Sequence, residues 1–296
     1  VDSLQPGDPA SVGAYRLLGR LGAGGMGQVF LGESPGGRMV AVKLIHSAHV
    51  GIPHFRERFA REVEAARRVG GFHTAPVVDA DPHADPPWMV TAFIEGPSLQ
   101  DAVGRYGPMP PDRLRALGAG LSEGLGAIHA CGLVHRDLKP ANVILAADGP
   151  RIIDFGIARA VDATTGLTTT GSVVGTIAYM SPEQIRGESA GPASDVFSLG
   201  CVLAFAAAGR PPFLGDSAAA VMYRIVNQPP DLTGVAEAWL TGLITRCLSK
   251  TTAERPGVPA VLTAFTGRDM ALLVPAASVP GPAAAEDGPA TQTRAS

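Results

Sequence analysis

His135-Arg136-Asp137-Leu138-Lys139-Pro140-Ala141-Asn142 gathers a carboxylate, an ammonium and an amide into eight residues. Twelve residues after Asn142 comes a second carboxylate, in Asp154-Phe155-Gly156. A segment this polar makes a poor core. Its oxygens are of the hard type that Mg²⁺ prefers, and its cation suits a phosphate. Only three lysines occur, Lys43, Lys139 and Lys250, while arginine supplies the remaining cations. Where arginine is the default, a retained lysine suggests a need for a compact ammonium. Lys43 sits in the apolar run Val40-Ala41-Val42-Lys43-Leu44-Ile45, where it is either a solvent-facing strand lysine or a partner for phosphate oxygens and a carboxylate.

The elements that must position these groups change character along the chain. Tyr15–Leu21, Gln28–Gly32, Met39–Ile45, Pro76–Asp79 and Trp88–Ile94 have the short, β-branched and aromatic composition of strands, which predicts a small five-stranded antiparallel sheet. Phe55–Val69 has a helical period, with Phe55, Phe59, Val63 and Ala66 on one face. Glu62 falls within that apolar stripe, and a carboxylate there needs a cation. Lys43 is the expected partner. From Ser98 onward the pattern is helical, over about 98–105, 112–131, 194–208, 217–227 and 236–249. The predicted fold is therefore α+β and bilobal. A small lobe (14–94), with a five-stranded sheet and one helix, joins a larger, mostly helical lobe (95–267). Residues 1–13 read as a loose flank, and the Pro/Ala-rich residues 268–296 as a linker or tail.

The totals exclude several classes. A formal charge of −3 points to neither nucleic acid nor an anionic membrane as an obligate partner. Cys131, Cys201 and Cys247 are too far apart for a zinc or disulfide framework and suit a reducing cytoplasm. The longest apolar stretch, Val196–Gly209, is short of a bilayer span and reads as a buried helix.

Between the first two strands lies Gly22-Ala23-Gly24-Gly25-Met26-Gly27. Alone it is a weak signal. A dinucleotide fingerprint requires a helix after the turn, whereas Gln28-Val29-Phe30-Leu31 is strand-like. A glycine-rich hairpin and a phosphate cover both remain open, the latter because glycines let backbone N–H groups approach phosphates.

Taken together, the glycine loop, Val40-Ala41-Val42-Lys43, His135-Arg136-Asp137 through Asn142, Asp154-Phe155-Gly156 and Ser181-Pro182-Glu183 resemble a eukaryotic-type Ser/Thr protein kinase of the actinobacterial kind. The resemblance covers about Tyr15 to Phe265. It implies transfer of the ATP γ-phosphoryl group to protein Ser/Thr hydroxyls, with Mg²⁺, or Mn²⁺ as the alternative, held by Asn142 and Asp154. By the same resemblance Asp137 is the catalytic carboxylate, Lys139 steadies the transferring phosphoryl group, and Lys43 with Glu62 anchors the phosphates. The glycine loop Gly22, Ala23, Gly24, Gly25, Met26, Gly27 and Gln28 covers them. Leu21, Val29 and Ala41 roof the adenine, Ile144 floors it, and Ala92 and Ile94 present hinge backbone groups beside Thr91. Glu183 is expected to pair with Arg255. Asp195, at the start of the helix over 194–208, reads as its N-cap, and the resemblance adds hydrogen bonds to the catalytic-loop backbone; both can hold. Thr168 and Thr170 are expected autophosphorylation sites, with Arg136 as receiver and Arg159 a weaker candidate.

The resemblance further implies protein substrates, self-association through the small lobe, and a cytoplasmic location, or the cytoplasmic side of a membrane-anchored receptor if the native chain continues. A catalytically impaired nucleotide-binding scaffold is the alternative. Against it stand Lys43, Glu62, Asp137, Asn142 and Asp154 together, five residues that a scaffold has no chemical need to keep.

Overall fold

The computed structural model describes residues 1–24, 27–46, 50–154 and 177–267. The first part is a six-stranded antiparallel sheet: β1 Ser11–Val12, β2 Tyr15–Gly24, β3 Gly27–Glu33, β4 Met39–Ile45, β5 Val77–Asp81 and β6 Trp88–Ala92. Their order across the sheet is β1-β2-β3-β4-β6-β5. The sequence predicts five strands. The sixth, β1, is two residues long, too short to show a period, and is held by its pairing to Tyr15 and Arg16. Residues 1–13, expected as a loose flank, also make contacts with β2. Asp2 bridges Arg20, and the Asp8 carboxylate takes the Arg20 guanidinium.

Alternation divides the sheet's two faces. Leu17, Phe30, Val40, Val42 and Val90 are buried together on one face. The intervening residues of β4, Ala41 and Lys43, point the other way and are only partly covered. Helix α1, Phe55–Arg67, buries the stripe that its sequence predicts, Phe55, Phe59, Val63 and Ala66. Those residues join Ile45 and Met89 in the larger core, which runs on into the second lobe.

The second lobe carries α2 Leu99–Tyr106, α3 Pro111–Ala130, the hairpin β7 Val143–Ala146 and β8 Gly149–Ile152, α4 Pro182–Ile185, α5 Pro192–Ala208, α6 Ala218–Asn227, α7 Ala238–Cys247 and α8 Val258–Thr266. Ser98 caps α2 by accepting from the Asp101 N–H. Helix α5 is buried continuously from Ser194 to Ala207 and packs against α3 and α7. A helix apolar all round belongs in a core, and no helix among the described residues is long and apolar enough to cross a membrane. The hairpin and α8 lie outside the predicted elements. Their strands and turns are short, and α8 is fixed by packing on α3, where Phe265 fills the space a side chain at Gly118 would need.

Candidate active site

The chemistry of the sequence motifs depends on what the fold places side by side, beginning with Lys43. Because Val40 and Val42 are buried in the sheet, Lys43 is turned toward the second lobe. There its Nζ donates to Asp154 Oδ1 at 2.5 Å. Burial pushes the Asp154 carboxyl up, but the Lys43 ammonium and its hydrogen bond outweigh that, leaving it below the usual carboxylate range. Asp154 has φ 60, a left-handed backbone that short polar residues tolerate.

The segment from His135 to Asn142 is held from below by α5. Asp195, fully buried, accepts the His135 N–H on Oδ2 and the Arg136 N–H on Oδ1, each at 2.8 Å. These two bonds pin Arg136 at φ 62. His129 Nε2 meets the same Asp195 Oδ2 at 2.7 Å. Helix α5 starts at Pro192 and its N-cap is Gly191, so Asp195 does not cap it. His129 carries no signal in sequence beyond its place at the end of α3; only its contact reveals it. His135 is buried, and burial lowers its pKa against the pull of Asp195 and Asp137. The Asp137 N–H donates to His135 Nδ1 at 3.2 Å, so the ring proton sits on Nε2, 3.2 Å from the Ile153 carbonyl.

Three predicted site residues then converge. Lys139 Nζ donates to Asp137 Oδ2 at 3.0 Å. Asn142 Nδ2 donates to the Asp137 carbonyl at 2.9 Å and reaches Asp137 Oδ2 at 3.4 Å. Committing the amide nitrogen this way leaves Asn142 Oδ1 as its acceptor end. Asp154 follows close behind, since the Ile153 N–H donates to the Asn142 carbonyl at 2.9 Å. Two hard oxygen donors, Asn142 and Asp154, suit Mg²⁺, which takes one or two protein oxygens and completes its shell with phosphate and water. Among the described residues no group of three or more His, Cys, Asp or Glu forms a self-sufficient metal cage.

One expected pair is not formed. Glu62 does not meet Lys43; its Oε1 lies 3.5 Å from Arg136 Nη1, and its Oε2 is buried without a hydrogen-bond partner. Burial drives the Glu62 pKa up to about 7, with Arg136, Arg58 and Arg61 pulling the other way. Arg136, expected to receive a phosphate, is thus engaged by Glu62.

The residues expected to line an adenine slot, Leu21, Val29, Ala41, Ala92, Ile94 and Ile144, are all partly exposed. Val29 faces Lys43 across the β3–β4 ladder, and Ala41 faces Thr91 across β4–β6. Ser98 bridges Ile144 just beyond the lobe connection, bringing the floor against it. In the glycine loop, a side chain at Gly22 or Gly24 would meet open space, leaving room for a ligand. Gly27 differs: a Cβ there would lie 1.8 Å from the Leu44 carbonyl oxygen. Gly25, Met26, Phe155, Gly156, Arg159, Thr168, Thr170 and Gly175-Thr176 lie outside the described residues.

Below the site, Arg255 donates from Nη1 and Nη2 to Glu183 Oε1 and Oε2 at 2.6 and 2.9 Å. Ser194 Oγ adds a bond to Oε1 at 2.7 Å. Burial raises the Glu183 pKa, yet these bonds bring it down to about 2. Next to Glu183, Gln184 Nε2 donates to the Arg136 carbonyl at 2.9 Å, joining this anchor to the loop that carries Asp137.

Residues 15–265 match the family model of the protein kinase domain. The chain is 58% identical over 273 residues to the probable serine/threonine-protein kinase PkwA of Thermomonospora curvata, covering 91% of this chain and 36% of that protein. It is 51% identical over 265 residues to the serine/threonine-protein kinase AfsK of Streptomyces coelicolor, covering 89% and 33%. The solved kinase domain of Mycobacterium tuberculosis PknI is 26% identical and superposes with a TM-score of 0.69, over 90% of this chain and 100% of that one. The chain spans about a third of the length of the curated relatives it matches.

Proposed function

The chain belongs to the protein kinase family, and on that premise we propose that it is an active Ser/Thr kinase domain that phosphorylates protein hydroxyls from ATP. The observation that carries this reading is the contact chain Lys139–Asp137–Asn142, set beside the Lys43–Asp154 pair. With Mg²⁺ bound, or Mn²⁺ in its place, ATP supplies the γ-phosphoryl group, and Asn142 and Asp154 are the residues that would hold the ion.

Asp137 takes the proton of a serine or threonine hydroxyl as that oxygen bonds to the γ-phosphorus and the bond to the β–γ bridging oxygen breaks, leaving ADP. Lys139, already on Asp137, neutralises charge on the phosphoryl oxygens during transfer. Lys43 anchors the phosphates from above. Leu21, Val29, Ala41 and Ile144 enclose the adenine, and the Ala92 and Ile94 backbone groups fix its edge.

Thr168 and Thr170 are the autophosphorylation sites in this reading. Self-association through the small lobe belongs to it as well, and Phe72 and Val78 are exposed apolar side chains on that lobe. A cytoplasmic location belongs to the same reading, supported by its use of ATP and by the free thiols of Cys131, Cys201 and Cys247.

The test is ATP/Mg²⁺-dependent phosphate incorporation by the purified chain, beside Asp137→Asn and Lys43→Met, with labelled sites mapped. Labelling of wild type alone, on Thr168 or Thr170, is the expected result. A wild type that binds ATP yet labels neither itself nor a generic protein acceptor would sink the reading.

A further inference from the structure

Residues 1–13 precede the stretch that matches the kinase family, yet they pair with strand β2, which leads into the expected nucleotide roof. Arg20 is gripped twice. Its N–H donates to the Asp2 carbonyl at 2.8 Å, and its carbonyl accepts the Asp2 N–H at 2.9 Å. Its guanidinium donates from Nε and Nη2 to Asp8 Oδ2 and Oδ1 at 2.8 and 2.5 Å. The Asp8 side chain is only 3% exposed, and the Gln5 N–H adds a third bond to its Oδ2 at 2.7 Å. A two-pronged guanidinium–carboxylate pair fixes orientation as well as distance.

What lies next to Arg20 gives this grip a consequence. The β2–β3 ladder shifts register between Arg20 and Gly22. Leu21, the first residue of the apolar slot, is therefore the extra residue of a β-bulge. Bulges re-aim side chains, and their geometry depends on what holds the flanking residues. On the β3 side the flank is the ladder itself. On the open side it is Asp2 and Asp8. Gly19 shows that β2 is shaped to accept this segment: a Cβ there would come within 2.7 Å of the Asp2 carbonyl oxygen.

We propose that residues 1–13 are a working part of the nucleotide site, in which Asp8 and Arg20 act as positioning residues that set the bulge aiming Leu21 at the adenine. This rests on the ATP-binding reading above. It is a role in binding rather than in transfer, because neither residue approaches Asp137, Lys139 or Asn142 in any contact described. Losing the grip should loosen ATP and leave the chemical step alone.

The experiment compares wild type, Asp8→Ala, Gly19→Ala and the charge-reversed double variant Asp8→Arg/Arg20→Asp. It measures equilibrium binding of a fluorescent ATP analogue with Mg²⁺, KM for ATP and for a protein acceptor, kcat and melting temperature. Asp8→Ala and Gly19→Ala are expected to weaken analogue binding and raise the ATP KM by roughly three- to tenfold. Acceptor KM and kcat should stay within about twofold of wild type, and the double variant should regain most of the lost affinity. Gly19→Ala leaves both charged groups in place, so the idea remains testable if Asp8→Ala does not fold. Unchanged analogue affinity in folded Asp8→Ala and Gly19→Ala, whether or not they melt earlier, overturns the inference while the nucleotide reading stands. A wild type that binds no analogue overturns both.

Discussion

Glu62 stands against Arg136, the residue directly before Asp137, and Lys43 stands against Asp154. The helix α1 carboxylate and the β4 ammonium are therefore each engaged with the second lobe rather than with each other. Glu62 is served poorly by its partner: at 3.5 Å only one of its oxygens faces the guanidinium, and the other is buried without a bond. A carboxylate in that position favours its proton.

This makes a pH-dependent prediction. The folded-state pKa of Glu62 is raised from 4.5 to about 7. A raised carboxylate pKa contributes stability that is fully present below about 4.5, declines as pH rises, and is gone above about 7. The shift corresponds to about 3 kcal/mol. Glu62→Gln, which cannot ionise, should gain on wild type across that window and keep a constant difference above it. Denaturant titrations at pH 5, 6, 7 and 8 check this. A difference independent of pH would mean that Glu62 is ionised throughout.

Asp137 is expected to act on the chemical step. Asp137→Asn keeps the shape and the contact to Asn142 but removes the proton acceptor. We expect kcat to fall by about 10²–10⁴-fold, with ATP affinity changed little. Single-turnover phosphorylation and nucleotide binding, measured on the same preparation, separate the two quantities.

The Glu183–Arg255 pair predicts a second pH dependence, of opposite sign. The Glu183 pKa is lowered to about 2 from 4.5. Its contribution is therefore fully present above about 4.5 and is lost as pH falls through about 2. Arg255 Nη1 and Nη2 both end on Glu183, and the Arg255 side chain is 0% exposed. Glu183→Gln leaves that guanidinium buried against a neutral amide and should destabilise the second lobe by about 3–5 kcal/mol at pH 7. The gap between variant and wild type should narrow on acidification, which urea unfolding at pH 7 and pH 3 would record. Because Gln184 links the same turn to Arg136, the variant should also lose activity.

Two glycines of one loop should respond differently to the same substitution. At Gly27 a Cβ would sit 1.8 Å from the Leu44 carbonyl oxygen, a backbone atom of the neighbouring strand. Gly27→Ala should therefore separate β3 from β4 and lower the melting temperature by several degrees, on the order of 1–3 kcal/mol. At Gly24 a Cβ meets open space. Gly24→Ala should melt with wild type and show its effect in ATP binding alone. Thermal melts with and without ATP/Mg²⁺ distinguish them.

Much of this arrangement was legible in residue order. The stripe Phe55, Phe59, Val63, Ala66 identifies α1 and its buried face, because a helix has one period and one apolar side. The alternation in β4 places Val40 and Val42 inward, and so turns Lys43 toward the cleft, for the same kind of reason. The density of Asp137, Lys139 and Asn142 in a few residues brings those groups together in any compact conformation of the loop. Local periodicity and short spacing are properties of the chain itself.

What tertiary structure decided are the relations that no period encodes. Strand β1 is two residues long, and residues 1–13 are rich in the polar and Pro/Gly types of a loose flank. They contact Arg20 through Asp2 and Asp8, and strand β2 sets where Arg20 stands. The hairpin β7–β8 and helix α8 owe their places to packing on neighbours far away in sequence. The partner of Glu62 is not legible in sequence for the same reason. An apolar stripe states that its carboxylate needs a cation, but several cations lie within reach once the lobes meet. Distance and desolvation in the assembled molecule chose Arg136 for Glu62 and left Lys43 to Asp154.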